Sequence, residues 1–149
     1  MKEFKHLGVY GIIIQNNEIV LVKKNGGPYD GKLDLPGGTI EFGETPQETL
    51  IRELEEEIGI NLKEYELITA DSVLFDWTYN DKLLKCHHIG IFYKIINYEN
   101  DIQNNIEIDD KNDDSLGGKF YNINNLKKEE LSEIAIMILE KLNYKINQQ

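Results

Sequence analysis

The stretch Thr45-Pro46-Gln47-Glu48 fixes the start of a helix, and Gly59 fixes its end. Threonine followed three residues later by glutamate is a capping box. Proline suits the first helical position, where its missing N–H has no partner to lose, and glycine tolerates the left-handed backbone that closes a helix. At about 100° per residue, Arg52 at 0° puts Glu56 near 40°, Glu53 near 100° and Glu57 near 140°, while Leu50, Leu54, Ile58 and Ile51 fall at roughly 160°, 200°, 240° and 260°. The helix is therefore expected to bury the stripe of Leu50, Leu54, Ile58 and Ile51 and to display three carboxylates along the adjacent face. Glutamates spaced i, i+3 and i+4 repel by a few tenths of a kcal/mol per pair, so a helix selected for stability alone would interleave lysine. Carboxylate oxygens in this arrangement suit hard cations such as Mg²⁺ or Mn²⁺, which keep several waters and bridge to substrate phosphates. A solvated acidic face is the alternative.

What precedes the helix favours the cation. Leu33-Asp34-Leu35-Pro36 brings a short extended piece into Gly37-Gly38, a turn whose backbone can approach a ligand closely. Glycine turn and acidic helix together can grip one ion from two sides. Upstream, the apolar runs Leu7 to Gln15 and Ile19 to Lys24 flank Asn16-Asn17 and predict an antiparallel hairpin. Downstream, strands are expected over Glu66 to Thr78 and Leu83 to Ile96 with a turn near Tyr79-Asn80-Asp81, then a polar stretch from Asn97 to Gly118. A short strand over Lys119 to Asn122 and an amphipathic helix over Lys127 to Leu142 complete the chain, with 143–149 expected to fray. Two helices among hairpins, without regular βαβ alternation, predict a mixed sheet with helices packed on its faces.

The chain has 149 residues, enough for one domain over 1–149 and no second core. Its formal charge of -11 argues against DNA or RNA polymers, whose phosphates are held by clustered Lys and Arg, but leaves room for a small phosphorylated ligand neutralised by divalent ions. No apolar run is long enough to span a bilayer, and the N-terminus lacks the apolar stretch of a secretion signal, so a soluble, cytoplasmic protein without a membrane partner is expected. Cys86 is the single cysteine and is read as a small buried strand residue. His87 and His88 alternate faces on a strand and lack metal-type spacing to another His or Cys, so both are read as structural, with at most one facing the site. No oligomeric state follows from the sequence.

Gly38, Glu44, Arg52, Glu53, Leu54, Glu56, Glu57, Gly59 and Ile60, with Leu35-Pro36-Gly37-Gly38 and Glu41-Phe42-Gly43-Glu44 around them, closely resemble the defining box of the Nudix hydrolase superfamily. The resemblance implies an α+β fold, the Nudix-type α/β/α sandwich with a mixed β-sheet between helices. It also implies Mg²⁺- or Mn²⁺-dependent hydrolysis of a diphosphate linkage in a small nucleoside diphosphate derivative. Carried over by position, it implies Gly37, Glu53, Glu56 and Glu57 as metal ligands. Glu53, Arg52 and Glu56 would form the catalytic group, with Arg52 positioning the glutamates and Glu44 supporting the helix start or a further ion. The subtype marks of ADP-ribose and dinucleoside polyphosphate hydrolases are absent: no proline follows Pro46, and Trp77 stands nearer than Tyr79 to the expected tyrosine position. The default is a MutT-like nucleoside triphosphate pyrophosphohydrolase. ADP-ribose, nucleotide-sugar and dinucleoside polyphosphate pyrophosphatases are the alternatives within the class, and a catalytically silent nucleotide sensor is the alternative outside it. Gly38, Lys23, Trp77 and Asp114 are the substrate-binding candidates. Trp77 belongs to a stripe of Val73, Phe75, Trp77 and Tyr79 that suits either core or base stacking, with core favoured.

Overall fold

The computed structural model of the chain describes residues 2–103 and 115–148. It comprises eight strands and two α-helices among the described residues: β1 Lys2–Ile12, β2 Ile14–Gln15, β3 Glu18–Lys24, β4 Leu33–Asp34, β5 Gly37–Thr39, α1 Pro46–Ile58, β6 Asn61–Tyr79, β7 Lys82–Glu99, β8 Ser115–Asn122 and α2 Glu133–Lys141. One sheet runs β5-β1-β7-β6, with β1 parallel to β7 and the other pairs antiparallel. The other is antiparallel and is built on β3, which pairs with β2, β4 and β8. The mixed sheet is thus present, and a second sheet stands beside it between the helices.

Alternation along the strands explains the layering. Val9, Ile13, Val20 and Val22 pack with Leu50, Leu54 and Ile58 of α1, while Tyr10, Ile12, Ile19 and Leu21 pack with Ile134, Ala135, Ile138 and Leu139 of α2. Neighbouring strand residues point to opposite faces, so each helix covers its own face and buries its own apolar cluster.

The structure departs from the sequence-based expectations in several places. The first hairpin is shorter: β1 leaves the mixed sheet after Ile12, and only Ile14 and Gln15 pair with β3, across Asn16 and Asn17 at φ 51° and 63°. The second hairpin is longer, with β6 and β7 joined by Asn80 and Asp81, both also at positive φ. Asparagine and aspartate tolerate this backbone, which matches the twist of paired strands. The last helix begins at Glu133 rather than Lys127, because Ser132 caps it by accepting from the Ala135 N–H, and 128–130 forms a separate 3₁₀ turn. The tail is tied down where fraying was expected: Ile146 is buried, and Asn147 accepts from the Lys128 N–H at 2.8 Å and donates to the Asn124 carbonyl at 2.8 Å.

Candidate functional site

α1 carries its predicted ends. Thr45 Oγ1 accepts from the Glu48 N–H, the Glu48 carboxylate accepts from the Thr45 N–H, and Gly59 closes the helix at φ 75°. Its buried stripe is rotated from the expected one. Ile51 is exposed, while Glu57 is 7% exposed, so the stripe runs from Glu57 through Leu50 and Leu54 to Ile58. The cause is the turn at Gly37, whose N–H donates to Glu57 Oε1 at 2.8 Å and satisfies a carboxylate that would otherwise need water.

Arg52 organises the remaining acids. Its Nε and Nη2 donate to the two oxygens of Glu44 at 2.7 and 2.8 Å, Nη1 donates to Glu53 Oε1 at 2.7 Å and Glu56 Oε2 at 3.2 Å, and Nη2 donates to the Thr39 carbonyl at 3.2 Å. Glu44 also accepts from the Thr49 hydroxyl and the Glu41 N–H. The bidentate guanidinium, with these two donors, holds its carboxyl down to about 2. Glu44 therefore anchors Arg52.

The two glycines of the turn are sterically fixed. Gly37 lies at φ 146°, and a Cβ there would collide with the Val9 carbonyl oxygen. At Gly38 it would fall 2.5 Å from the Glu53 carboxyl carbon, so the missing side chain is the space that Glu53 uses.

Gly37, Gly38, Glu53, Glu56 and Glu57 all line one cavity of about 340 Å³. Its other walls come from Lys24 and the 26–29 loop, Asp34, Thr39 and Glu41, and the strand residues Phe4, His6, Tyr10, Phe75, Cys86, His87 and His88. Lys24 is the one lysine or arginine among the described lining residues. The donor set on the α1 wall is all oxygen and suits a hard divalent cation, and the missing Cβ of Gly38 lets the Glu53 carboxylate lie against the glycine turn. Among the described residues no three His, Cys, Asp or Glu side chains are gathered closely enough to hold an ion as they stand, since Arg52 lies bonded to both Glu53 and Glu56.

Several expected positions fall elsewhere. Lys23 is exposed and off the cavity, because alternation along β3 turns its neighbour Lys24 inward instead. Trp77 is half-buried, edge-on to Phe4 at 6.0 Å and beside Tyr79 at 5.0 Å, and does not line the cavity. Phe75 takes that place, stacked on Tyr29 at 5.1 Å and 23°. Asp114 lies outside the described residues. Cys86 is buried as expected, and burial pushes its thiol up.

Sequence reasoning missed the cavity floor. Tyr10, Tyr29, Asp34 and His88 are all buried there, and where both histidines of the 87–88 pair were read as structural with at most one facing the site, both line the cavity. Asp34 Oδ1 accepts from the Leu35 N–H and the Ser132 hydroxyl, so the cap of α2 is bonded to the floor of the site. His6 stacks on His88 at 4.6 Å and meets Thr39 Oγ1 at 2.7 Å. The available signal was a polar residue inside an apolar strand, as with Asp34 between Leu33 and Leu35.

The NUDIX domain family model matches residues 4–142. An ADP-ribose pyrophosphatase of Methanocaldococcus jannaschii is 31% identical over 122 residues, 82% of this chain and 64% of that protein. An 8-oxo-dGTP diphosphatase of Escherichia coli is 43% identical over 54 residues, 36% of this chain and 42% of that one. The chain thus spans less than two thirds of the length of either relative. In fold, it is similar to a MutT NUDIX hydrolase from Burkholderia pseudomallei, at a TM-score of 0.74 and 21% identity, covering 93% of this chain and 98% of that one. No helix among the described residues is long and apolar enough to cross a membrane.

Proposed function

The chain belongs to the Nudix family, and on that premise we propose that it is a hydrolase cleaving a diphosphate linkage in a small nucleotide, foremost a nucleoside triphosphate to the monophosphate and pyrophosphate. One observation carries the reading: the carboxylates of α1 and the Gly37-Gly38 turn share a single cavity with Lys24 and an aromatic, hydrogen-bonding floor. Phosphates and an organic ring need those two kinds of wall in one place.

Glu53, Glu56, Glu57 and the Gly37 carbonyl would hold Mg²⁺ or Mn²⁺, which when bound offsets charge on phosphoryl oxygens and acidifies its water. Arg52 fixes the orientation of Glu53 and Glu56 through its Nη1, and Glu44 fixes Arg52. Glu53 or Glu56 takes the proton of the attacking water, each being a carboxylate on the cavity wall. Lys24 draws the phosphate chain into a protein whose overall charge would repel it. Asp114 remains a candidate for a further carboxylate.

A second reading, hydrolysis of ADP-ribose, is favoured by the Methanocaldococcus jannaschii relative, which aligns with most of this chain. Purified protein assayed with Mg²⁺ or Mn²⁺ against nucleoside triphosphates, ADP-ribose, nucleotide sugars and dinucleoside polyphosphates separates the two. The highest kcat/KM on a triphosphate, with pyrophosphate as product, supports the first reading, and a higher value on ADP-ribose replaces it with the second. Nucleotide binding without turnover in either metal would make the protein a sensor.

A further inference from the structure

β6 is the outermost strand of the mixed sheet, with β7 on one side and no strand of the described residues on the other. Its two halves differ. Before Thr69 it carries the devices that blunt a sheet edge: Lys63, and register shifts between Leu62 and Glu64, between Glu64 and Tyr65 and between Leu67 and Thr69. From Thr69 to Tyr79 the register with β7 is unbroken, and the segment holds no lysine, arginine or proline. A strand of that length presents a row of outward N–H and C=O groups roughly 36 Å long.

The charges of this outer half are neutralised within the chain. Asp71 pairs with Lys141 of α2 at 2.6 Å, and Asp76 pairs with Lys85 of β7 at 3.0 Å. In a protein of net charge -11, the segment therefore carries no unpaired acid. Its odd-numbered residues Val73 and Phe75 pack toward the core under α2, and its even-numbered residues face the other way. On that open face Leu74 is 65% exposed, and the apolar surface continues across the sheet through the exposed Leu83 of β7 and Leu7 of β1.

We propose that Thr69–Tyr79 is a self-association edge, on which a second copy of this chain pairs antiparallel about a two-fold axis at Leu74, joining the two mixed sheets into one. An axis normal to the sheet sets residues of like parity opposite one another. Leu74 then meets its own copy, Val73 meets Phe75, Ser72 meets Asp76 and Asp71 meets Trp77. No acid opposes an acid in this register. Asp71 and Asp76 lie on opposite faces, so no such two-fold register can oppose one to the other. Apolar pairs across strands are the contacts that stabilise a sheet, and like charges there weaken it.

The neutrality of the edge identifies its occupant. A foreign partner of so acidic a chain would be drawn by basic residues seeking unpaired acids, and this segment offers none. Elsewhere the charge of -11 makes copies repel. A neutral, unbroken, apolar-alternating edge is where two copies can approach.

The test is sedimentation equilibrium of the full chain over about 1 to 100 μM, where wild type is expected to pass from monomer to dimer. Leu74→Glu sets two like charges together at the axis and should raise the dimer Kd by about tenfold or more. Leu67→Glu adds the same charge at a comparably exposed leucine in the bulged half and should leave the Kd within about twofold. Far-UV circular dichroism checks that both variants fold. Leu74→Cys gives a readout that weakens nothing: mild oxidation should cross-link its dimer through the two opposed thiols, Cys86 being buried, and Leu67→Cys should not cross-link. A wild type that stays monomeric throughout, equal effects of the two glutamates, or a Leu74→Cys dimer that fails to cross-link would each overturn the inference. None of these outcomes touches the hydrolase reading, which the substrate assay tests separately.

Discussion

The two ends of the cavity solve opposite electrostatic problems. On the α1 wall five acids, Glu41, Glu44, Glu53, Glu56 and Glu57, crowd around one guanidinium, and four of them pair with Arg52 within 3.6 Å. On the floor, Tyr10, Tyr29 and His88 are neutral, buried and joined end to end. The wall has charge to spare for a cation and little freedom of shape, since Arg52 and the two glycines fix it. The floor offers no net charge of its own beyond Asp34 and is joined by hydrogen bonds between neutral groups. The charged wall and the neutral floor therefore suit different kinds of contact, a cation on one side and an uncharged group on the other.

The most forceful way to break this contrast is to neutralise one wall carboxylate and find activity intact. Glu57→Gln keeps an oxygen to accept the Gly37 N–H but loses the charge, and should lower kcat by about a hundredfold or more with the fold preserved. Circular dichroism alongside the rate measurement separates the two effects. Next, a millimolar titration of Mg²⁺ or Mn²⁺ should raise the melting temperature, since an ion at a hundred times its Kd adds about 2.7 kcal/mol to the folded state. The shift should shrink in Glu57→Gln and persist in Tyr29→Phe, which keeps every wall carboxylate.

Acid sharpens the comparison because the two regions lose stability in different windows. Glu44 falls from 4.5 to about 2 in the fold, so its contribution is complete above 4.5 and is lost as pH drops toward 2. His88 falls from 6.5 to about 3, so folding disfavours its protonation and stability is lost as pH drops from 6.5 toward 3. Denaturation midpoints against pH should flatten between 6.5 and 4.5 in His88→Gln and below 4.5 in Glu44→Gln. A profile unchanged in both would mean that neither group is held as described. The smallest effect should come from Trp77→Ala. Half-buried against Phe4 and Tyr79 and away from the cavity, Trp77 should cost about 1 kcal/mol of stability and leave kcat/KM within about twofold. A selective loss of nucleotide binding would instead extend the site along β6.

The contrast also explains what the sequence discloses. The wall lies within one loop and one helix, where the capping box, the glycines and the i, i+3, i+4 spacing encode its geometry locally, and both ends of α1 fall where they were predicted. Even there, the burial of Glu57 was hidden, because it depends on an N–H twenty residues away. The floor has no local code. Tyr10 and His88 are 78 positions apart and meet because β1 lies parallel to β7, and Tyr29, 59 positions from His88, reaches it from the loop between β3 and β4. The same limit explains Lys23, where strand alternation was legible but which parity faces the cavity is set by packing across the sheet; Trp77 shares the parity of Phe75, and there it is the position along β6 that decides. The tail misled by composition, its polarity concealing the buried side chain of Ile146.

The parallel pairing of β1 with β7 also bears on the order in which the molecule assembles. β6 and β7 meet across a two-residue turn, whereas Lys2 pairs with Leu84 and Ile12 with Lys94, roughly eighty positions apart along the chain. Local pairings close quickly and distant ones slowly, because the intervening loop must first surrender its entropy. The long hairpin is thus an early template, and β1 joins it late, carrying Tyr10 to His88 and, through β5, Gly37 to the acidic helix. The Tyr10–His88 and Gly37–Glu57 contacts both depend on that docking event, so the cavity is complete only once the most distant strand pairing has closed.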